Sequence, residues 1–449
     1  MLLGTQIINA AGRLEIGGCD TVELAREFGT PLYVVDEQAV RQKCRAFQRA
    51  FAEAWPDTEV TYAGKAFLPL AMCRLIAEEG IGLDVASGGE LYTALQADFP
   101  ANRISLHGNN KSVDEIRMAL EAGVGRIVVD NLRDLEIIRT LTSADRPTTI
   151  HIRVTPGIDP HTHRRIRTGQ ADTKFGLGIG DGQAMLAIET ALEMPGVRLT
   201  GIHCHVGSQL LDMSAHTAAA EIMVDFMDEV RSAAGWVPED LNLGGGFGIR
   251  YLPEQNPPTP EEAARAIAAV LMSRLNEKKL PQPRLMIEPG RAIIGEAGTT
   301  LYTIGAIKQV SIPEAPFQRL YVAVDGGMSD NPRTQLYDAR YYAAIANRAG
   351  QKPDRVATIA GKHCETDILI WDIALHDPRQ GDLLAVSCTG AYNHAMSSNY
   401  NRLPRPAVVF AQGGDAELVV RRETFADLVG HDLIPARLSA DSETAAAHL

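Results

Sequence analysis

From residue 35 to about residue 295, short apolar or β-branched runs alternate with longer segments of helical spacing. The runs that predict strands are Glu59–Lys65, Gly82–Ser87, Arg103–Gly108, Arg126–Asp130, Thr148–Val154, Leu199–Gly207, Asp240–Gly246 and Arg284–Arg291. Most are apolar on both faces, as strands covered on both sides must be. Several intervening segments carry start signals. Ser112-Val113-Asp114-Glu115 fits a capping box, and Thr259-Pro260-Glu261-Glu262 adds proline at the first helical position. Strands separated by helices over this length predict an α/β fold of the (β/α)8 TIM-type barrel. An open doubly wound sheet is the weaker alternative, because no G-x-G-x-x-G follows the first strand.

The rhythm changes on either side. Residues 1–34 predict a hairpin around Ala11-Gly12, a helix over Thr21–Phe28 that stops at Gly29, and a strand at Leu32–Val35. From 296 to 449 short β-like runs dominate: Tyr302–Val310, Leu320–Val324, Arg355–Ile359, Asp382–Val386, Ala407–Phe410 and Glu417–Arg421. Turn signals such as Asp325-Gly326-Gly327 punctuate them. A C-terminal, mostly-β domain that also takes the N-terminal strands is expected, with Ser439–Leu449 as a frayed tail. The run from Pro156 to Gly180 reads as a loop able to close over a site.

Composition narrows the function. The formal net charge of −13 argues against nucleic-acid or anionic-membrane partners. Six cysteines are scattered without C-x-x-C pairing or metal-ligand spacing, which suits free thiols in a reducing compartment. No leader-like segment or bilayer-spanning run is found, so a cytoplasmic protein is expected.

Polar residues gather where barrel chemistry sits, at the C-terminal ends of the predicted strands: Lys65, Ser87, His107, Arg153, His203, His205, Gly244–Gly246 and Glu288–Arg291. Lys65 ends a buried run, and a lysine there is costly unless paired or used. It either snorkels to the surface or bonds a carbonyl cofactor. Gly244-Gly245-Gly246-Phe247-Gly248 is either a tight turn or a phosphate cradle, and Glu288-Pro289-Gly290-Arg291 at the eighth strand favours the cradle. Lysine and phosphate site together suggest pyridoxal 5′-phosphate, with Glu288 facing its ring nitrogen. His203 and His205 share one strand face, but no third ligand at suitable spacing accompanies them, and none accompanies His161 and His163. No metal is expected.

Tyr62–Lys65, Gly82–Ser87, His107–Ser112, Thr162-His163, Lys174–Gly176, His203–Gln209, Gly244–Gly248, Glu288–Arg291, Asp325–Tyr337, Cys364-Glu365 and Gly390–Pro406, in this order, resemble the fold-type III pyridoxal phosphate-dependent decarboxylases over nearly the whole chain. The resemblance implies that Lys65 holds the cofactor and His205 stacks on it. It places Gly245, Gly246 and the backbone around Gly290 and Arg291 at the phosphate, with Tyr392 nearby, and counts Ser208 among the cofactor-binding residues. Arg291, Arg333, Tyr337, Glu365 and Tyr392 then recognise the substrate, and Cys364 returns a proton to Cα. It further implies a homodimer in which the partner subunit supplies the cysteine. The implied reaction is decarboxylation of meso-diaminopimelate to L-lysine. Its rivals are a sister decarboxylase acting on another amino acid or carrier-bound group, a racemase on the same barrel, and a non-catalytic regulatory relative. Two stretches depart from the family pattern: Thr366-Asp367 shortens the run after Cys364-Glu365, and Tyr392-Asn393-His394-Ala395 replaces a more usual sequence.

Overall fold

The computed structural model describes residues 1–158, 173–312 and 318–438. His161, His163, the middle of the Pro156–Gly180 loop and the predicted frayed tail lie outside the described residues.

Eight parallel strands close on themselves. They are Thr58–Ala63, Gly82–Val85, Ile104–Leu106, Arg126–Val129, Thr148–Thr155, Val197–His203, Asp240–Asn242 and Arg284–Ile287. Neighbours in sequence pair throughout, and Arg284–Ile287 returns to Thr58–Ala63 to complete the ring. Helices between the strands cover the outside, so leucine, isoleucine and valine on both strand faces are buried. Both predicted capping boxes form: Ser112 with Glu115 and Thr259 with Glu262 exchange their reciprocal hydrogen bonds. Replacing Ser112 or Thr259 with alanine is expected to cost about 1 kcal/mol each, read as a lower urea midpoint with an unchanged slope.

Several strands stop short of their predicted ends. Val197–His203 ends before Gly207, and Asp240–Asn242 before the glycine run. Lys65, expected on a strand, sits instead in a single 3-10 turn, Gly64–Ala66, directly after the first barrel strand. The turn is forced by close packing, since a Cβ on Gly64 would lie 2.7 Å from the Asp84 carbonyl oxygen. Ser87 caps the helix Gly88–Gln96 by accepting the Glu90 N–H, which accounts for its place at a strand end.

The remaining strands build a second, mostly antiparallel sheet. Its spine is the fourteen-residue strand Gly298–Ser311, which pairs with Gln318–Val324, Leu383–Ser387 and the N-terminal strand Leu32–Asp36. Leu32–Asp36 also pairs with Ala407–Gln412, so the N-terminus is built into this sheet. The strands Ile368–Leu375 and Ala343–Ile345 escaped the sequence pattern. Trp371 and Asp372 interrupt the first with exposed positions, and the second is only three residues long. The hairpin Ile7–Ile8 and Leu14–Ile16 forms a separate small sheet with Cys19–Asp20.

The two mouths of the barrel differ in kind. At the N-terminal mouth the charges are paired. Glu59 accepts from both Nη atoms of Arg126 at 2.7 and 2.9 Å, while Asp240 takes His151 at 2.9 Å and Arg284 at 2.7 Å. At the C-terminal mouth the pairs are longer, with His107 3.4 Å from both Asp84 and Glu288 and Arg153 3.4 Å from Asp130, and they surround a cavity.

Candidate active site

The C-terminal mouth holds a cavity of about 170 Å3, lined by Lys65, Asp84, Glu90, His107, Arg153, Phe175, His203, His205 and Glu288 with short backbone stretches between them. Six barrel strands end in these residues or lead directly into them. The cavity is therefore fixed by the sheet rather than by surface loops.

Glu288 lies on the floor, buried and gripped. Asn242 Nδ2 donates to its Oε1 at 2.6 Å, His203 Nε2 lies 3.1 Å from Oε2, and His107 Nε2 lies 3.4 Å from Oε1. Burial opposes ionisation, yet the His203 and His107 rings hold this carboxyl well below the usual range. Burial pushes His203 itself down to about 4, so at neutral pH it serves as a neutral donor. His107 carries the charge. Against its own desolvation, Glu288 and then Asp84 raise it to about 9. Asp84, 3.4 Å from the same His107 Nε2, is raised to about 7 by burial and by the charge of Glu288. Two carboxylates thus share one imidazolium, and their acidities are driven apart with Glu288 kept ionised.

The elevated His107 pKa carries a stability consequence. A group whose folded pKa lies above its unfolded value of 6.5 stabilises fully below that value and loses the effect as pH rises through about 9. The stability difference between wild type and His107→Gln is therefore expected to shrink between those two pH values, by up to about 3 kcal/mol. Urea midpoints measured across the interval check it.

His205 is neutral. Burial, then the positive charges of Lys65 and Arg153, hold its pKa well below the ordinary value. The Gly245 N–H donates to its Nδ1 at 3.2 Å, which leaves the ring proton on Nε2. His107, His203 and Glu288 bring three ligand atoms within 4.8 Å of one another, a grouping that residue spacing did not offer. Its buried neutral ring and gripped carboxylate suit a protonated heterocycle above Glu288 equally well.

The glycine run is glycine by steric necessity. A Cβ on Gly245 would lie 2.2 Å from the Glu288 carbonyl oxygen, and one on Gly246, at φ +97°, 2.6 Å from that of Gly207. His216 packs from behind, 2.9 Å from the Gly245 carbonyl oxygen. Glycine is therefore required here for the loops after the sixth, seventh and eighth barrel strands to pack backbone against backbone.

Arg291 and Arg333 are buried, 5 and 4 % exposed. Arg291 donates to Ser208 Oγ at 2.7 Å and to Tyr251 Oη at 2.5 Å. Arg333, at the start of the short helix Arg333–Tyr337, donates to Tyr251 Oη at 2.7 Å and Tyr341 Oη at 2.9 Å. Arg291 also lies 4.8 Å over the Tyr392 ring, and Arg333 5.7 Å over Tyr337. The backbone N–H of Tyr392 donates to the Ala66 carbonyl, which ties this group to the Lys65 turn. Neither guanidinium meets a carboxylate among the described residues, and the Nε of each is buried without a partner. Among the described residues, hydroxyls and aromatic rings alone surround these two buried cations, an arrangement suited to taking an anion.

Gly290 abuts the first strand, where a Cβ would lie 3.0 Å from the Ala63 Cβ. Cys364 and Glu365 are not part of the cavity. They sit on an exposed segment between the strands Arg355–Ala360 and Ile368–Leu375. There the Cys364 N–H donates to Asn401 and Glu365 accepts from Tyr400 at 2.6 Å. Sequence reading missed the site roles of Asp84, Tyr251, Tyr341 and His216. Asp84 lay inside a quoted motif without a role, and Tyr251 follows the glycine run closely, which is the signal that was available.

Residues 37–295 match the family described as pyridoxal-dependent decarboxylase, pyridoxal binding domain. The chain is 49 % identical over 434 residues to diaminopimelate decarboxylase of Bacillus subtilis, covering 96 % of this chain and 98 % of that protein. The same enzyme of Halalkalibacterium halodurans is 46 % identical, at 96 and 97 % coverage. Among solved structures, diaminopimelate decarboxylase from M. jannaschii in complex with L-lysine superposes with a TM-score of 0.89. Its identity is 37 %, over 98 % of this chain and all of that one. No helix among the described residues is long and apolar enough to cross a membrane. Matched in its cofactor-binding segment and alike over nearly its full length, the chain belongs to the diaminopimelate decarboxylase family of pyridoxal phosphate-dependent enzymes.

Proposed function

We propose that the chain decarboxylates meso-diaminopimelate to L-lysine, as the last step of lysine biosynthesis. The observation that carries this reading is the buried Arg291–Arg333 pair without a carboxylate partner among the described residues, linked to the Lys65 turn through Tyr392, whose ring lies under Arg291 and whose N–H donates to Ala66. Diaminopimelate has an amino-acid group at each end. One end reacts, and the other offers the carboxylate that two guanidiniums bind well.

Lys65 would hold the cofactor, His205 would pack its neutral ring against it, and Glu288 would face its ring nitrogen. Gly245, Gly246, Gly290 and Ser208, with Arg291 and Tyr392 nearby, would hold its phosphate. Bound pyridoxal phosphate supplies an electron sink for the pair left on Cα as carbon dioxide departs. Glu288, kept ionised by its donors, holds a proton at the ring nitrogen. Arg291, Arg333, Tyr337 and Tyr392 orient the far end of the substrate, and Glu365 of the partner subunit pairs with its ammonium. Cys364 of the partner subunit delivers the proton to Cα.

A homodimer is part of this reading, and the exposure of the Cys364–Glu365 segment on the β domain supports it. Residues 35–295 act as the cofactor-binding unit, with 1–34 and 296–449 forming the part that reaches the second copy. The six free thiols support a cytoplasmic location. The test is to incubate pyridoxal phosphate-loaded protein with meso-diaminopimelate and measure carbon dioxide and L-lysine together. Equal release of the two is expected. Turnover of ornithine or arginine with none of diaminopimelate would overturn the substrate.

A further inference from the structure

We propose that Tyr251 is a third binding group for the far carboxylate of the substrate, donating its phenolic proton to that group alongside Arg291 and Arg333. The inference rests on the substrate reading above and adds a residue to it.

The argument is a count of donors and acceptors at one atom. A phenol oxygen accepts through its lone pairs and donates through one hydrogen. Tyr251 Oη accepts from Arg291 Nη1 at 2.5 Å and from Arg333 Nη1 at 2.7 Å. Its accepting capacity is spent on two cations, and no acceptor for its own hydrogen is found among the described residues. Tyr341 differs. Its Oη also accepts from Arg333, but Asn393 Oδ1 lies 3.4 Å away to take its proton. Tyr251 is 5 % exposed, so bulk water is no ready substitute. A buried hydroxyl proton without an acceptor is costly, and two adjacent cations polarise it further. The group that satisfies all three residues is an anion that accepts from both guanidiniums and from the phenol.

The position is built rather than incidental. Gln209 brackets the neighbouring backbone by donating to the Ile249 carbonyl at 2.7 Å and accepting the Ile249 N–H at 3.2 Å. Gln255 Oε1 accepts the Tyr251 N–H at 2.9 Å. Tyr341 stands edge-on to the Tyr251 ring, with centroids 5.4 Å apart and planes at 88°. These contacts fix the phenol before any ligand arrives, which lowers the entropic cost of binding.

The test compares wild type with Tyr251→Phe, each loaded with pyridoxal phosphate, by calorimetric titration with L-lysine and with cadaverine. L-Lysine keeps the far amino-acid group, and cadaverine has the same carbon chain without a carboxylate. Loss of one hydrogen bond to a carboxylate is expected to weaken L-lysine binding about tenfold. Cadaverine binding should stay within about twofold, since it never meets this proton. KM for diaminopimelate should rise in step with the L-lysine effect, with kcat changed much less. Equal L-lysine affinity in the two proteins would overturn the role of Tyr251 and leave the substrate reading standing. Failure of wild type to bind L-lysine at all would overturn both. If Tyr251→Phe does not fold, a crystal structure of the wild-type complex with L-lysine decides. A carboxylate oxygen within about 3.2 Å of Tyr251 Oη supports the role, and separation beyond about 4 Å overturns it.

Discussion

Lys65→Ala is expected to lower kcat/KM for diaminopimelate by at least about 10^3-fold, the scale of losing a positioned covalent group. Lys65 stands on a turn wedged between the Asp84 backbone and the first barrel strand, so its backbone has no freedom to reposition another amine. Among the described residues no other lysine lines the cavity. Lys111, which follows the third strand, is committed to Asp134 at 2.8 Å and to the Gly108 carbonyl at 2.7 Å. The substitution should leave the fold intact, because the Lys65 side chain faces the cavity and packs into no core. Two measurements check it. Circular dichroism should match wild type, and borohydride treatment should no longer fix pyridoxal phosphate to the chain. Retained borohydride labelling in Lys65→Ala would move the attachment elsewhere and undo the assignment.

The barrel was legible because parallel strands buried on both faces write themselves as continuous apolar runs between helical segments. Their ends were less so. Val197–His203 stops where Gly207 and the glycine run draw the backbone away into a turn, and hydrophobicity alone does not register that turn. Lys65 and Glu288 were conspicuous as charged residues at the ends of apolar runs. Tyr251 and Asp84 were not, because their significance lies in partners far along the chain: Arg291 and Arg333 for one, Glu288 and His107 for the other. Cys364 had no signal of its own. A lone cysteine after an ordinary β-run reads as a structural thiol, and family resemblance alone gave it a role.

That role yields the second large effect. In the proposed homodimer, the Lys65→Ala and Cys364→Ala proteins should each be nearly inactive, and mixing them should restore activity. Random pairing makes about half of the dimers hybrids. In each hybrid one site combines both defects, and the other combines an intact Lys65 with the intact Cys364 of the other subunit, giving about one quarter of the wild-type activity. The placement of the residues motivates the expectation. Lys65 lines the barrel cavity, whereas Cys364 and Glu365 stand exposed on the β domain. The segment that carries them is held in shape. His363 is buried with its Nδ1 2.5 Å from Asp367 Oδ2, and its ring lies parallel to Tyr400, which donates to Glu365. A Cβ on either Gly327 or Gly361 would collide with Asp367, so both must stay glycine for this loop to close. A loop held this way presents Cys364 and Glu365 outward in a fixed shape, as delivery to a second copy requires. Subunit exchange is confirmed with two differently tagged chains. Recovery near one quarter then supports a site shared between subunits, and no recovery in exchanged hybrids would place Cys364 outside the reaction or confine each site to a single chain.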